Sequence, residues 1–523
     1  MHYTGGVLEY QQRMARRKPE VLAPAGNLRG LKAAVDYGAD AVYCGGKAFG
    51  MRSAPKNLSL EDFEEGARYA HARGARVYVT CNVLPRNNEV RAIQEYISQL
   101  AGTGVDALIV TDIGVLMTAH SVAPELELHV STQAGVTNYG AANALYDLGA
   151  RRVVLAREMD LQAVRDIRAN IPDDMDVECF VHGSMCMAFS GRCLISNYLT
   201  GRDGNHGECA QPCRWKYSLV EEKRPGQVFP VEETAQGTYL FNSQDMNMMA
   251  HLDDLIDSGA TSLKIEGRSK SAYYVAAMTN AYKTAVNEYM VQRGFEDEAG
   301  NELKPFHDRV VRAGEEGFAD SARDTIMLNA DAAFAGMPNW DSANDEGEAG
   351  GISNRQARRT GLKRQGQLVE ESDDGWRHAP VRPAPHVELP QWLMEEPYKV
   401  AHRDYSTGFY YPEQKVTQNT DRSAYFRDWL VVGEVLSWSP EEGGRVTIMS
   451  RNKMEPGQLV EFLLPGRAPL EYVVPDGGIR DADGNEVPMV NNPAHVFSLP
   501  LGVEVPVNAA LRSRTKKPTL KAE

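Results

Sequence analysis

Five times in the first half of the chain a helical pattern ends in glycine, and alanine or valine and then a short apolar run follow at once. The pairs are Gly38-Ala39, Gly74-Ala75, Gly104-Val105, Gly149-Ala150 and Gly259-Ala260. Glycine ends a helix because it takes the left-handed cap conformation without strain. The apolar runs fall at 21–23, 41–45, 77–82, 107–112, 128–133, 153–157, 177–182 and 262–266. Most are rich in β-branched residues and apolar on both faces, the pattern of strands covered on both sides in a parallel sheet. Helical stretches such as 59–73 and 88–101 separate most of them. Eight such units predict a closed parallel (β/α)8 barrel of the TIM type. A doubly wound open sheet is the alternative; the absence of Gly-x-Gly-x-x-Gly after the first strand weighs against a dinucleotide version of it.

The remainder divides by composition. Residues 18–293 are assigned to the barrel, which also carries a cysteine-rich insertion. Residues 294–396 contain NDEGEAGG, ESDDGW and the proline-rich APVRPAPHVELP, and are expected to be a polar, largely disordered insertion or linker. A connecting segment at 397–427 leads to 428–513, where apolar alternation with turn signals (LVVGEVLSW, GGRVTIM, GQLVEFLLP) predicts a small antiparallel β-barrel. Residues 514–523 read as a basic tail. The net charge of −15 argues against nonspecific coating of nucleic acid. Local basic clusters exist at Arg355, Arg358, Arg359, Lys363 and Arg364, and at Arg512, Arg514, Lys516 and Lys517. No apolar run reaches the roughly 18 residues of a membrane span, and the first residues lack the apolar core of a signal peptide. The expected address is cytoplasmic, away from membranes, where cysteines stay reduced.

Five of the seven cysteines lie between Cys179 and Cys213. Six residues separate Cys186 from Cys193 and three separate Cys209 from Cys213. Two such pairs complete a four-thiolate shell. Spacing alone leaves zinc and an iron–sulfur cluster open, since both accept four sulfurs. The segment starts at the C-terminal end of a predicted strand, the side of a barrel that carries chemistry. Cys44, Cys81 and Cys179 read as core thiols, with a pocket role open for Cys44.

The run ECFVHGSMCMAFSGRCLIS at 178–196 resembles the signature of the collagenase-like peptidase family of formerly unassigned catalytic type, in particular its tRNA 5-hydroxyuridine synthase branch. VLAPAGN, GADAVYCGG, STQAGVTN, CAQPCRW, SLKIEGRSKS, YSTGFYY and NPAHVFSLPL support the likeness, which covers most of the chain outside 294–396. The resemblance implies a 4Fe–4S cluster on Cys186, Cys193, Cys209 and Cys213. It implies prephenate-dependent hydroxylation of the wobble uridine of tRNA, with prephenate as the small co-substrate. Relatives act on a ribosomal RNA cytidine or on quinone precursors, and the family name implies proteolysis as an alternative. A homo-oligomer or a homologous partner subunit is left open.

Several residues outside the cysteine pairs are site candidates. His182, at the end of the seventh strand, is a candidate acid–base. Lys264 and Glu266 alternate along the last strand and therefore share a face. There they form either a structural ion pair or a catalytic, substrate-facing pair. Arg52 and Arg268 are candidates for holding an anion, and Gln133 and Asn138 for reading a base edge, with turn stabilisation as the competing role. A serine or metalloprotease is disfavoured, since neither Gly-x-Ser-x-Gly nor His-Glu-x-x-His occurs.

Overall fold

Strands that are apolar on both faces have to be covered on both faces, and a ring of strands inside a ring of helices does this. The computed structural model describes residues 18–50, 57–186, 193–215, 219–220, 228–229, 244–295, 385–414 and 425–519. Strands β1 (Glu20–Ala25), β2 (Ala41–Gly45), β3 (Arg76–Cys81), β4 (Ala107–Val110), β5 (Glu127–Val130), β6 (Arg152–Val154) and β7 (Asp176–Ser184) each pair in parallel with the next. A short antiparallel pair, β8 (Leu219–Val220) and β9 (Val228–Phe229), and the rim strand β10 (Asp245–Asn247) follow. Strand β11 (Ser262–Ile265) then pairs in parallel with both β1 and β7 and closes the eight-stranded barrel. The expected architecture is the one found.

The helices around the ring start and stop as their sequences dictate. They are α1 (Leu28–Asp36), α2 (Leu60–His71), α3 (Val90–Ala101), α4 (Ile113–Val122), α5 (Tyr139–Asp147) and α6 (Leu161–Ala169). After the short α7 (Ile195–Thr200) in the cysteine segment come α8 (Leu252–Asp257) and the long α9 (Ala272–Gln292). Asn27, Ser59, Asp112, Asn138, Asp160 and Ser271 cap six of them by accepting a backbone N–H. The five glycines of the repeat all take positive φ, from +74° at Gly74 to +104° at Gly259. Among the described residues no helix is long and apolar enough to cross a membrane.

Inside the ring the filling is of two kinds. Leu22, Ala41, Tyr43, Tyr78, Ala107 and Ile109 form an apolar cluster on the β1–β4 side. The opposite side is ionic. Buried Arg152 reaches Glu178 at 3.2 Å, Asp176 at 3.0 Å and Glu20 at 3.1 Å. Lys264 meets the other oxygen of Glu178 at 2.6 Å and lies 4.4 Å from the centre of the Tyr43 ring. Burial alone would raise the Glu20 carboxyl, but the charge and hydrogen bonds of Arg152 outweigh it and hold it near 2.

The chain after α9 returns to this body. Residues 296–384, which include the first basic cluster, lie outside the described residues. Residues 385–396, expected to belong to a disordered linker, instead pack into the barrel's outer core. Leu389, Trp392, Leu393 and Met394 are buried there, the last three on α10 (Gln391–Glu395). Arg293 donates to the Pro385 carbonyl at 2.9 Å, and Gln292 exchanges two hydrogen bonds with the Glu388 backbone. Strand β12 (Tyr405–Ser406) joins β10 on the barrel rim, beside a buried Arg403–Asp245 pair.

The C-terminal region is a seven-stranded antiparallel sheet: β13 (Arg427–Ser439), β14 (Arg445–Ser450), β15 (Leu459–Phe462), β16 (Leu470–Val473), β17 (Arg480–Asp481), β18 (Val496–Pro500) and β19 (Ala510–Thr519). Its own core holds Val435, Ile448, Val460, Phe462, Phe497 and Leu511. Strand β19 runs to Thr519, past the boundary expected at 513 and into the supposed basic tail. Arg512, which reads as a surface cation in sequence, is fully buried. It bonds Glu396 at 2.7 Å, Glu461 at 2.8 Å and the Tyr273 hydroxyl at 3.1 Å. It thus joins the sheet to α9 and the connecting segment and does not face RNA.

Removing one partner of a buried ion pair strands the other charge, so Arg512→Ala should cost about 3–5 kcal/mol. Urea unfolding of the full chain measures this. A loss below about 1 kcal/mol, the scale of a surface pair, would overturn the pinning role.

Candidate functional site

The mouth at the C-terminal ends of the strands is ringed by polar side chains that the fold supplies one strand at a time. Tyr43 comes from β2, Thr80 and Asn82 from β3 and its end, and Thr111 from just after β4. Ser131 and Gln133 follow β5, Arg157 follows β6, and Glu266 and Arg268 follow β11. Gln133 is 5% exposed; its Oε1 accepts from Asn82 Nδ2 at 2.7 Å and lies 3.5 Å from the Thr111 hydroxyl. Arg157 is 8% exposed, lies 3.9 Å from the centre of the Phe180 ring, donates to the Ser184 carbonyl at 2.7 Å and approaches Glu266 at 3.6 Å. Tyr43 O–H stands 3.4 Å from the same Glu266 oxygen. Arg268 donates to the Thr80 hydroxyl at 2.8 Å. It reaches across Gly45, where a Cβ would sit 2.3 Å from the guanidinium.

The sequence candidates divide on this geometry. Gln133, Glu266 and Arg268 meet at the mouth. Lys264 lies deeper, held by Glu178. Asn138 caps α5 through its side chain, bonding Ala141 N–H at 2.8 Å on an exposed turn, so its amide oxygen is committed to the helix. Arg52 lies outside the described residues. His182 faces away from the mouth. A bulge sets Phe180 opposite Lys264 but His182 opposite Ile265, so the expected alternation slips by one residue and turns the imidazole outward. There it packs against Tyr274, Tyr282 and Tyr405, with its ring nitrogens 3.2 Å from the Tyr282 hydroxyl and 3.4 Å from that of Tyr405. Burial pulls its pKa down to about 3, so it is neutral in the fold. Sequence reasoning missed Arg157. Its signal was an arginine closing the apolar run 153–157, in VVLARE, at the end of a strand that faces the mouth.

The cysteine segment begins where this ring ends. Cys186 follows β7 by two residues, Cys193 precedes α7, and Cys209 and Cys213 belong to the turns that pack on α7. Ser196 of α7 accepts from Ala210 N–H at 3.0 Å. Gln211 adopts a φ of +59°, unusual for a residue with a side chain, and its N–H points at Cys209 Sγ at 3.4 Å. Two ion pairs, His206–Glu89 at 3.2 Å and Arg86–Asp203 at 3.7 Å, tie the segment to the loop after β3. Strand β3 stands four places from β7 in either direction around the ring. The described parts of the cysteine segment therefore stand on opposite sides of the ring, Cys186 at the end of β7 and 203–206 beside the loop after β3. None of its four cysteines is in a disulfide; Cys186 and Cys209 are exposed, Cys193 and Cys213 half-buried. Burial raises the thiols of Cys44, Cys81 and Cys179 to about 12, leaving them unreactive core groups.

The buried neutral His182 yields a signed pH dependence. Its folded pKa lies below the ordinary 6.5, so the unfolded chain binds the extra proton first. Its contribution is complete above pH 6.5 and is lost as pH falls toward 3. By pH 5.5 the loss relative to pH 7.5 is about 1.4 kcal/mol. Denaturation midpoints for His182→Asn should fall less steeply over that interval than those of the wild type; equal slopes would refute the assignment.

Comparison with known proteins gives the same two regions. Residues 26–327 match the model of peptidase family U32, and residues 427–512 match the peptidase family U32 C-terminal domain. The "tRNA hydroxylation protein P" of Helicobacter pylori strain J99 is 45% identical over 274 residues, covering 52% of this chain and 65% of that protein. The match thus spans a little under two thirds of that relative. The Escherichia coli "23S rRNA 5-hydroxycytidine C2501 synthase" is 40% identical over 275 residues, 53% of this chain and 40% of that one. Among solved structures, the U32 peptidase Mk0906 is 14% identical and covers 48% of this chain and 93% of its own, with a TM-score of 0.32. With one family model spanning more than half of its length, the chain belongs to peptidase family U32.

Proposed function

We propose that this protein is an RNA-modifying enzyme that hydroxylates carbon 5 of the wobble uridine in tRNA. In this reading prephenate is the co-substrate and a 4Fe–4S cluster is held by Cys186, Cys193, Cys209 and Cys213. The observation that carries it is the placement of the cysteine segment, which starts with Cys186 at the mouth end of β7 and is tied through Asp203 and His206 to the loop after β3, on the far side of a barrel mouth lined with polar side chains. The names of the relatives, hydroxylation of tRNA and hydroxycytidine synthesis in ribosomal RNA, favour the same chemistry. Replacing C5–H by C5–OH removes two electrons from the base, so a redox group and a small oxygen source have to meet it.

The donor set fits the cluster. It consists of four cysteine thiols, none of them in a disulfide, and Cys209 Sγ already accepts a backbone N–H, the kind of contact that tunes a cluster's potential. When bound, such a cluster supplies one-electron chemistry. The residues of the chain itself hold and orient the substrates. Tyr198 and Trp215 stand exposed beside the cysteines and offer faces on which unpaired bases stack. A wobble base lies in a single-stranded loop and can be swung into a mouth at modest cost. Glu266 and Arg268 provide an acceptor and a donor that would hold it there. Peptide hydrolysis draws less support: the three core thiols are buried and protonated, and His182 faces away from the mouth.

Deleting the gene should remove 5-hydroxyuridine and its derivatives from tRNA in nucleoside analysis, and a Cys193→Ser copy should fail to restore them. Modification that persists with no second homologue present would refute the substrate. Protein purified without oxygen should contain iron and sulfide; stoichiometric zinc in place of iron would refute the cluster.

A further inference from the structure

We propose that Arg157 and Gln133 form a subsite in the barrel mouth for the carboxylate of a small organic acid. The inference deepens the reading above, on which it rests, by assigning the residues that hold the co-substrate. Two buried donors carry it. Arg157 Nε and Gln133 Nε2 are both shielded from solvent, and among the described residues neither has a hydrogen-bond partner. A buried donor left unpaired costs about 1–3 kcal/mol, so a fold that keeps two of them in one mouth gains when a ligand supplies acceptors.

The surroundings fix both groups. The guanidinium of Arg157 lies against Phe180, and its Nη1 is bound to the Ser184 carbonyl at 2.7 Å. The edge formed by Nε and Nη2 remains. Nη2 is 3.6 Å from Glu266, beyond a hydrogen bond, and that same Glu266 oxygen has the Tyr43 hydroxyl at 3.4 Å. A guanidinium edge of this kind matches the two oxygens of a carboxylate. In Gln133 the orientation of the amide is set because Asn82 Nδ2 donates to Oε1 at 2.7 Å and the Ser131 and Thr111 hydroxyls lie 3.4 and 3.5 Å from it. The NH2 group is thereby presented as a donor. The two residues follow neighbouring strands, β5 and β6. Both are more than nine-tenths buried in the mouth. That depth suits a free small acid better than a phosphate of an RNA backbone.

The test is calorimetric titration of the full chain, prepared without oxygen, with prephenate, inorganic phosphate and tRNA as separate probes. Arg157→Lys keeps the charge but loses the two-point edge, and Gln133→Glu turns the donor into an anion. Each should weaken prephenate binding by at least about tenfold, the loss of one charge-assisted hydrogen bond. Each should leave tRNA affinity within about twofold of wild type, a few tenths of a kcal/mol. Phosphate should not compete. Unfolding midpoints of both variants show whether the fold is kept, and Gln133→Glu serves if Arg157→Lys loosens the Ser184 contact. Prephenate binding that both variants leave unchanged would overturn this subsite and spare the co-substrate reading. No binding of prephenate to wild-type protein would overturn both. A fall in tRNA affinity or competition by phosphate would assign the donors to RNA and overturn the proposal.

Discussion

The barrel depends on Arg152. One guanidinium, inside the ring and out of reach of water, bonds the first residues of β1 and β7 and the middle of β7. It also meets the Ser262 hydroxyl of β11 at 3.2 Å. These are the strands that meet where the first and last barrel strands close on each other. Apolar packing alone would tolerate several registers there, because apolar contacts are not directional. Carboxylates at fixed positions on separate strands tolerate few. The register fixed at this lower end carries up the strands to the mouth, where Glu178 passes it to Lys264, two residues below Glu266.

At the upper end each functional group is one strand-end residue, so the site is only as well defined as the ring beneath it. Arg157 binds both worlds. Its guanidinium lies 3.6 Å from the mouth carboxylate Glu266 and donates to the carbonyl of Ser184, two residues before Cys186. Gly183, at a φ of +103°, lets β7 pass so close to Glu266 that a Cβ would lie 2.5 Å from its carbonyl oxygen. Through its hydrogen bond to Ser184, Arg157 thus stands two backbone residues from the first cysteine of the segment.

The barrel was legible in the sequence because its signals are local. A glycine ends each helix of the repeat two or three residues before a strand begins, and burial on both faces writes itself as continuous apolar runs. The cysteine pairs were legible for the same reason. Other features depend on residues far apart in the chain. Arg512 looks like one more basic residue near the C-terminus, because Glu396 and Glu461 are remote in sequence. The bulge that turns His182 outward leaves no mark in the alternation of β7. Asn138 carried two meanings, base reader and helix cap, and only the N–H of Ala141 decides between them. Arg157 needed knowledge of which strand ends face inward, which exists only once the ring has closed.

The described chain stops at Phe295 and resumes at Pro385, whose carbonyl accepts from Arg293 at 2.9 Å. The two ends therefore stand side by side on one body. The entropy of bringing two chain ends together grows only with the logarithm of the length between them, about 0.6 kcal/mol for each doubling. Whatever number of residues joins Phe295 to Pro385, the barrel and the C-terminal sheet meet both ends at the same place on the surface.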